Sequence, residues 1–439
     1  MQLALLALLP SVSASELVWD GYYRGRGLFY DSLSLSDSNV AAEGGSQFLD
    51  HRLLLQPSFL ISEHAALHAQ IDVFAYTLWG DRADTYVDPV TGETIAIAQA
   101  DGVASADVGL RATRAWGEAI TPIGRFAAGR MPMHWGSGIL WNNGDAVDAE
   151  YGDTADRVQF NTRVGPVFVL AAWDVQFEGF LGEGDDMQSA SLALGYRSET
   201  AGVGLLNNYR YQTSQKWQAY TGDVWGFADL GPVRIELEGV GVFGGGNLDT
   251  GANDVTVMAF GAMLNAAYKA EKLGLGIEAG VATGDADPTD KEVHAFSFDR
   301  DHNVALLLFE EPLPTLQTTV LNETNQGRTT DAAISGEGIS NALYLRPHVS
   351  YKLMPELEAE LGWITATQAK GPASVGGRGG YGNEIDLSLR YDPFPHVWVQ
   401  GTAGILLPGK YYSLYENTDF GSGFDKSAFA GRLLGVIEF

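Results

Sequence analysis

Ten arginines fall where polar residues alternate with apolar ones: Arg24, Arg26, Arg52, Arg111, Arg157, Arg163, Arg234, Arg346, Arg390 and Arg432. A guanidinium stays charged at every physiological pH, and its planar fork grips carboxylates through two parallel hydrogen bonds. A water-filled passage lined by such groups concentrates anions. One run is especially regular: Arg157, Gln159, Asn161 and Arg163 put four polar side chains on one face of a single strand. Acids accompany the arginines. Glu236 and Glu238 follow Arg234, Glu384 and Asp386 precede Arg390, and Glu356, Glu358 and Glu360 stand across from Arg346 and Lys352. The expectation is a mixed interior, part ion-pair network and part solute-facing surface, with Arg24, Arg26, Arg52, Arg111, Arg157, Arg163, Arg234, Arg346, Arg390, Glu236 and Glu238 as its lining.

Other chemistry has less support. The eight histidines are scattered, and neither H-E-x-x-H nor G-x-S-x-G occurs. A Ser-His-acid set is defined by geometry and can still assemble, but the expectation is no enzyme. The chain has no cysteine, which removes thiolate metal sites, disulfides and a Cys nucleophile. No resident cofactor is expected. Asp285, Asp287, Asp290 and Glu292 are weak candidates for a calcium site, since hard cations take oxygen ligands, yet the spacing matches no EF-hand loop. The formal net charge of -28 argues against nucleic acid, whose phosphates need a basic patch.

The elements that must position these residues are strands. After residues 1–14 the 439-residue chain holds no apolar run long enough for a membrane helix. Its apolar residues alternate instead with polar ones, the period of a strand with two different faces. In 16–30, Leu17, Trp19, Tyr23 and Phe29 share one face, while Tyr22, Arg24 and Arg26 share the other. In 166–178, Val167, Val169, Trp173 and Val175 oppose Asp174 and Gln176.

The pattern predicts strands near 16–30, 46–61, 64–79, 103–118, 121–131, 156–164, 166–178, 187–198, 201–213, 215–229, 231–243, 254–270, 272–283, 340–353, 355–368, 381–392, 394–407 and 427–439. Every second connection is short: Ser62-Glu63, Ala119–Thr121, Gly165, Glu199-Thr200, Leu230, Glu271, Met354 and Pro393. The opposite connections are mostly long: 31–45, 80–102, 132–155, 179–186, 244–253, 284–339, 369–380 and 408–426. Short periplasmic turns against long extracellular loops are the asymmetry of bacterial outer-membrane barrels. The expected fold is therefore all-β: a transmembrane antiparallel β-barrel of about eighteen strands. Trp19, Trp79, Trp116, Trp173, Trp225 and Trp363 are candidates for its interfacial girdles.

Residues 1–14 read as the remnant of a secretory signal, with an apolar stretch and Val12-Ser13-Ala14 as a cleavage-like end, which leaves 15–439 as one barrel domain. Acids crowd the long loops, as in Asp81, Asp84 and Asp88, or Glu183, Asp185 and Asp186. They are solvated, or they bridge through divalent cations to outer-membrane lipid and lipopolysaccharide. Two loop segments, Met131–Gly144 and Ala295–Glu310, are too apolar for plain solvated loops and are candidates to fold into the mouth as a constriction.

The last strand alternates Phe429, Gly431, Leu433, Gly435, Ile437 and Phe439 outward and ends on an aromatic. It resembles the C-terminal strand by which outer-membrane proteins meet the barrel-assembly machinery. The hairpin Gly382–Tyr411, with Glu384-Ile385-Asp386, a short turn and a strand closing on Leu407-Pro408-Gly409, resembles the penultimate hairpin of alginate-export-like outer-membrane porins. Gly129-Arg130 before Met131–Gly144 also resembles a strand end of that family. The resemblance implies eighteen strands and an arginine-rich lumen suited to polyuronates; the Glu ladders at 356–360 and 236–238 depart from a purely basic tunnel. Together these readings imply an outer-membrane channel for small polar solutes, anionic or sugar-like. The alternative is a non-conducting barrel whose acidic outer loops serve as adhesin, receptor or scaffold.

Overall fold

A computed structural model describes residues 15–33, 35, 46–78, 85–87, 94–96, 110–177, 187–212, 216–247, 254–286, 290–311, 313, 338–371, 379–413 and 425–439. The residue 1–14 segment, Trp79 and Asp287 lie outside them, as do the acids at 81–88 and 183–186 singled out above.

The chain forms a closed antiparallel barrel of 18 strands. They are β1 (Glu16–Val18 and Gly21–Asp31), β2 (Ser46–Leu55 and Ser58–Ser62), β3 (Ala65–Leu78), β4 (Leu110–Thr121), β5 (Gly124–Pro132) and β6 (Thr154–Val164). There follow β7 (Val167–Phe177), β8 (Met187–Arg197), β9 (Ala201–Gln212), β10 (Trp217–Leu230), β11 (Val233–Asn247) and β12 (Asp254–Lys269). The rest are β13 (Leu273–Ala282), β14 (Ala342–Met354), β15 (Leu357–Gln368), β16 (Gly380–Phe394), β17 (Val397–Pro408) and β18 (Ala428–Glu438). Each strand pairs with its sequence neighbours, and β18 pairs with β1, Tyr22 opposite Glu438. Closure leaves no unpaired edge, the condition for a sheet to sit in hydrocarbon.

Side-chain alternation sorts the wall. Leu192, Leu194, Leu205, Val224, Leu237, Leu264, Leu275, Leu361 and Leu387 face outward and are exposed. Tyr196, Tyr268, Tyr351, Tyr391 and Phe439 mark this outer face at the turn end; Phe29, Tyr220, Phe243, Phe260 and Phe429 mark it toward the loop end. Trp19, Trp173 and Trp363 belong to this face as expected, but Trp225 is buried inside. The outward charges Arg130 and Asp156 stand near the strand ends and pair bidentately at 2.8 and 2.6 Å. A lone charge at the midplane would cost about 2–4 kcal/mol.

All of the expected strands exist, but several boundaries move. Pro122, Pro166, Pro232 and Pro355 lie within the turns and not at strand starts, so the strands that follow them begin one to three residues later than expected. Pro393 lies inside β16, where the register with β17 slips between Tyr391 and Phe394; the turn falls at Pro395-His396. A proline without an N–H is tolerated at such a break in the ladder. Gly165 (φ 61°) and Gly231 (φ 66°) supply the left-handed residues of two turns.

Both apolar loop segments fold inward and pack on the barrel wall. Met133, Trp135 and Trp141 pack on Ala155, Ala193, Leu206, Trp225 and Phe227 of the inner wall. Phe296, Phe298, Val304, Leu306, Leu307 and Leu308 pack on Tyr344, Ile364, Tyr381 and Leu406 of the adjoining inner wall. Each fully buried side chain of this size contributes roughly 1.5–3 kcal/mol. Val147 of the first loop reaches a third cluster, Tyr22, Leu54, Trp398, Leu434 and Val436, whose Tyr22 lies at the turn end of β1.

Candidate functional site: the loop-narrowed lumen

The inner face of β1–β6 carries the arginine row, because inward positions recur every second residue. Arg26 pairs with Asp50 on β2, with Nε at 2.9 Å and Nη2 at 2.6 Å from one carboxylate oxygen, and also with Glu150 of the first inward loop. Arg52 meets Asp72 on β3 at 2.6 Å, the Tyr22 hydroxyl at 3.0 Å and the Ala149 carbonyl at 3.2 Å. Arg157 grips Asp174 on β7 through two bonds of 2.5 and 3.0 Å, beside the Trp141 ring. Arg24 is fully buried and donates to the Val147 carbonyl at 2.8 Å; its Nε and Nη2 have no hydrogen-bond partner among the described residues. Arg24 and Arg52 thus hold the first loop by its carbonyls, and strand acids offset the charge of Arg26, Arg52 and Arg157.

The structure places other expected residues elsewhere. Arg163 is exposed at the turn end and donates to the Gly165 and Arg197 carbonyls. Arg390 is exposed there too, bound to Asp392 and stacked on Trp398 at 4.1 Å. Arg234 pairs with Asp229 and Glu236 and lies 4.3 Å from the Phe227 ring centroid. These three lie toward the turn-end rim of the inner face. Arg346 meets Glu360 at 3.1 Å, and Arg432 approaches Asp148 at 3.8 Å. Arg111 stands opposite Asp72 in the ladder and is solvent-exposed.

Period-two reading missed Arg114. Positions 111 and 114 differ in parity, so strict alternation assigns them opposite faces. A register shift between Gln70 and Ile71 places Arg114 opposite Gln70 while Arg111 stays opposite Asp72. Arg114 is buried and holds the carbonyls of Asn143 and Asp153. No sequence signal marks that bulge.

The far wall, β10–β16, is acidic and holds both loops. Glu236 accepts from the Trp225 indole and Glu238 from the Ser137 N–H. The Trp135 indole donates to Asp223 at 2.7 Å. Glu278 takes the Tyr344 hydroxyl at 2.7 Å and lies 3.0 Å from His302 of the second loop. Glu384 accepts three successive backbone N–H groups, Leu306, Leu307 and Leu308, at 2.9, 2.7 and 2.7 Å. Among the loop groups, burial pushes the Glu311 carboxyl up to about 7, although its bond from the Tyr30 hydroxyl opposes the shift. Burial likewise raises Asp145 despite nearby Arg114.

The two loops also hold each other. The Asp301 carboxylate accepts the N–H groups of Glu150, Tyr151 and Gly152. Asp299 donates its N–H to the Ile139 carbonyl at 2.9 Å, and Arg300 stacks on Tyr151 at 4.8 Å. Of the calcium candidates, Asp285 is buried and accepts the His294 N–H, and Asp290 accepts the Glu292 N–H. Among the described residues no three acidic or histidine side chains gather into a cation site.

One polar row resembles a hydrolase arrangement in residue type. Ser58 Oγ lies 2.8 Å from His68 Nδ1, and His68 Nε2 lies 3.5 Å from Glu118. Glu118 is engaged by Arg125 at 2.9 Å, and His68 is stacked on Trp116. The row ties β2, β3, β4 and β5 together on the inner wall.

No family model matches the chain, and no curated relative does. Solved structures do match over nearly the full length. A BenF-like porin from Pseudomonas fluorescens is 8% identical with a TM-score of 0.57, covering 97% of this chain and 98% of that one. The outer membrane protein OpdK from Pseudomonas aeruginosa is 9% identical with a TM-score of 0.57, over 97% and 98%. OccK2 (OpdF) of the same organism, solved with glucuronate, is 10% identical with a TM-score of 0.54, over 98% and 99%. The likeness supports a porin barrel and does not extend to the alginate-export-like family that Gly382–Tyr411 resembles. At these identities it establishes architecture alone: the fold is that of the eighteen-stranded outer-membrane porins.

Proposed function

We propose that the protein is an outer-membrane channel for small polar solutes bearing a carboxylate, sugar acids among them. The observation that carries the reading is Arg24. It is a fully buried guanidinium on the inner wall, with two nitrogens unpartnered among the described residues and Arg26 and Arg52 beside it. Selection then rests on fixed charge in a narrow, partly dehydrated passage and needs no energy input. The glucuronate held by OccK2 is a solute of this chemistry.

The test is a salt-gradient measurement in planar bilayers, with glucuronate added to one side. The reading expects a current whose reversal potential favours anions, partial block by glucuronate, and a weaker preference in Arg24→Gln. A cation-preferring current would overturn the solute class. No current at all would favour a closed barrel acting through its acidic loops.

A further inference from the structure

The two inward loops meet at a pair of carboxyl groups. Asp153 closes the first loop and Asp299 belongs to the second, and their carboxyl groups lie against each other where the loops meet. An ionised carboxylate only accepts, so a hydrogen bond between the two requires that one of them keep its proton. Backbone contacts fix the pair from both sides. The Asn142 N–H approaches Asp153 at 3.3 Å, the Asp301 N–H donates to Asp299 at 2.9 Å, and the Asp299 N–H reaches the Ile139 carbonyl at 2.9 Å.

We propose that Asp153 and Asp299 form a proton-dependent clasp: a shared proton holds the two inward loops together across the lumen, and its loss drives them apart and widens the passage. The widening rests on the channel reading, whereas the parting of the loops does not.

Every packed element contributes charge around the pair. The first loop brings Asp145 and Glu150, and the second brings Arg300 and Asp301. The wall brings Arg114 on β4, Asp174 on β7 and Arg210 on β9. Arg210 favours ionisation of Asp153, while the Asp301 charge opposes it. Burial is the largest influence and raises both carboxyls; the neighbouring Asp153 charge then helps carry Asp299 to about 8. The sign follows from linkage. A carboxyl raised in the closed form stabilises that form fully below the ordinary carboxyl range, near pH ~4, and the stabilisation drains as the pH climbs. For Asp299 the draining is complete at about 8.

Two readouts on the full chain test this. Single-channel recordings at about pH 5 and about pH 9 should show the wild type spending several-fold less time in its narrow state at the higher pH. Asp299→Asn keeps a donor for the Asp153 carboxylate and should stay narrow at both; Asp153→Asn, on the other loop, should do the same. The second readout needs no current. The natural chain has no cysteine, so Ala149→Cys places a unique thiol at a site that is buried in the closed form. Its alkylation rate, divided by the rate in the Asp299→Asn background, cancels the thiolate fraction and should rise several-fold across the same range. A flat ratio overturns the clasp whether or not the protein conducts. A rising ratio without current upholds the clasp and overturns the channel reading alone.

Discussion

The Gly152 backbone N–H donates to the Asp301 carboxylate at 2.7 Å, across a sequence separation of 149 residues and between two loops that both fold into the barrel. Glu150 and Tyr151 donate to the same carboxylate, so one side chain satisfies three backbone groups of the opposite loop. Hydrogen bonds to a charged group contribute roughly 1.5–3 kcal/mol each, less than additively when they share an acceptor. Asp301→Ala should therefore loosen both loops together. The expected outcome is a larger single-channel conductance and a lower Tm in detergent. An unchanged conductance would mean that the loops keep their place without this contact.

Glu384 anchors the second loop to the wall in the same way, through the N–H groups of Leu306, Leu307 and Leu308. Glu384→Ala strands these buried donors at about 1–3 kcal/mol for each group left unpaired. Hydrogen exchange at residues 306–308 should then accelerate by at least tenfold relative to the strand amides. Glu384→Gln retains an acceptor oxygen and should fall between the wild type and the alanine variant.

The wall could be read from the sequence because hydrocarbon imposes a rule on every second residue. Leu192, Leu194 and Leu205 must face out, so Asn208 and Ser191 must face in, and each strand declares itself. Strand ends obey no such rule, and the turns moved to Pro122, Pro166 and Pro232 because a proline costs least where no ladder bond is made. The Arg111–Arg114 step was hidden by a bulge, which breaks parity without changing composition. The inward loops were visible as apolar segments in the wrong place, Met131–Gly144 and Ala295–Glu310. Their partners were not. Contacts such as Asp301 with Gly152, or Glu384 with Leu307, join residues whose proximity depends on the closed barrel, and no local pattern encodes it.

Arg157 and Arg163 lie on one strand and face the same way, yet they should behave differently. Arg157→Ala leaves the fully buried Asp174 without its partner, and an uncompensated buried charge costs roughly 3–5 kcal/mol. Asp174→Ala in the same chain should recover much of that loss. Arg163→Ala removes only exposed bonds to carbonyls at the rim, and surface changes of this kind stay within about ±0.5 kcal/mol. Chemical denaturation of the three variants checks the contrast. Anion preference should likewise be insensitive to Arg163.

Gly261 on β12 leaves the space that Phe296 of the second loop occupies: a Cβ there would overlap the phenyl ring and crowd Phe298. Gly261→Ala should displace the ring at a cost of about 1–3 kcal/mol, the usual penalty for overpacking, without disturbing the strand itself. The measurable result is a barrel of unchanged strand content with a wider passage. A Cβ at Gly222 would meet nothing within 4 Å, so Gly222→Ala serves as the control and should leave conductance unaltered.

Glu311 gives a pH dependence separate from the inter-loop pair. Burial raises its carboxyl to about 7, and the Tyr30 hydroxyl donates to it at 2.6 Å. A carboxyl whose pKa is raised on docking favours the docked state when protonated; that favour is complete below the ordinary glutamate range, near pH ~4.3, and is lost as pH rises to the folded value. The docking of Glu311 against β1 should therefore weaken across that interval and level off above about 7. Glu311→Gln cannot ionise and should flatten this part of the profile of Tm against pH in detergent. Tyr30→Phe removes the opposing hydrogen bond, so the remaining carboxyl should titrate higher and the loss of stability should extend to higher pH. A Tyr30→Phe profile shifted to lower pH would show that the hydroxyl bond, and not burial, sets the direction of the shift.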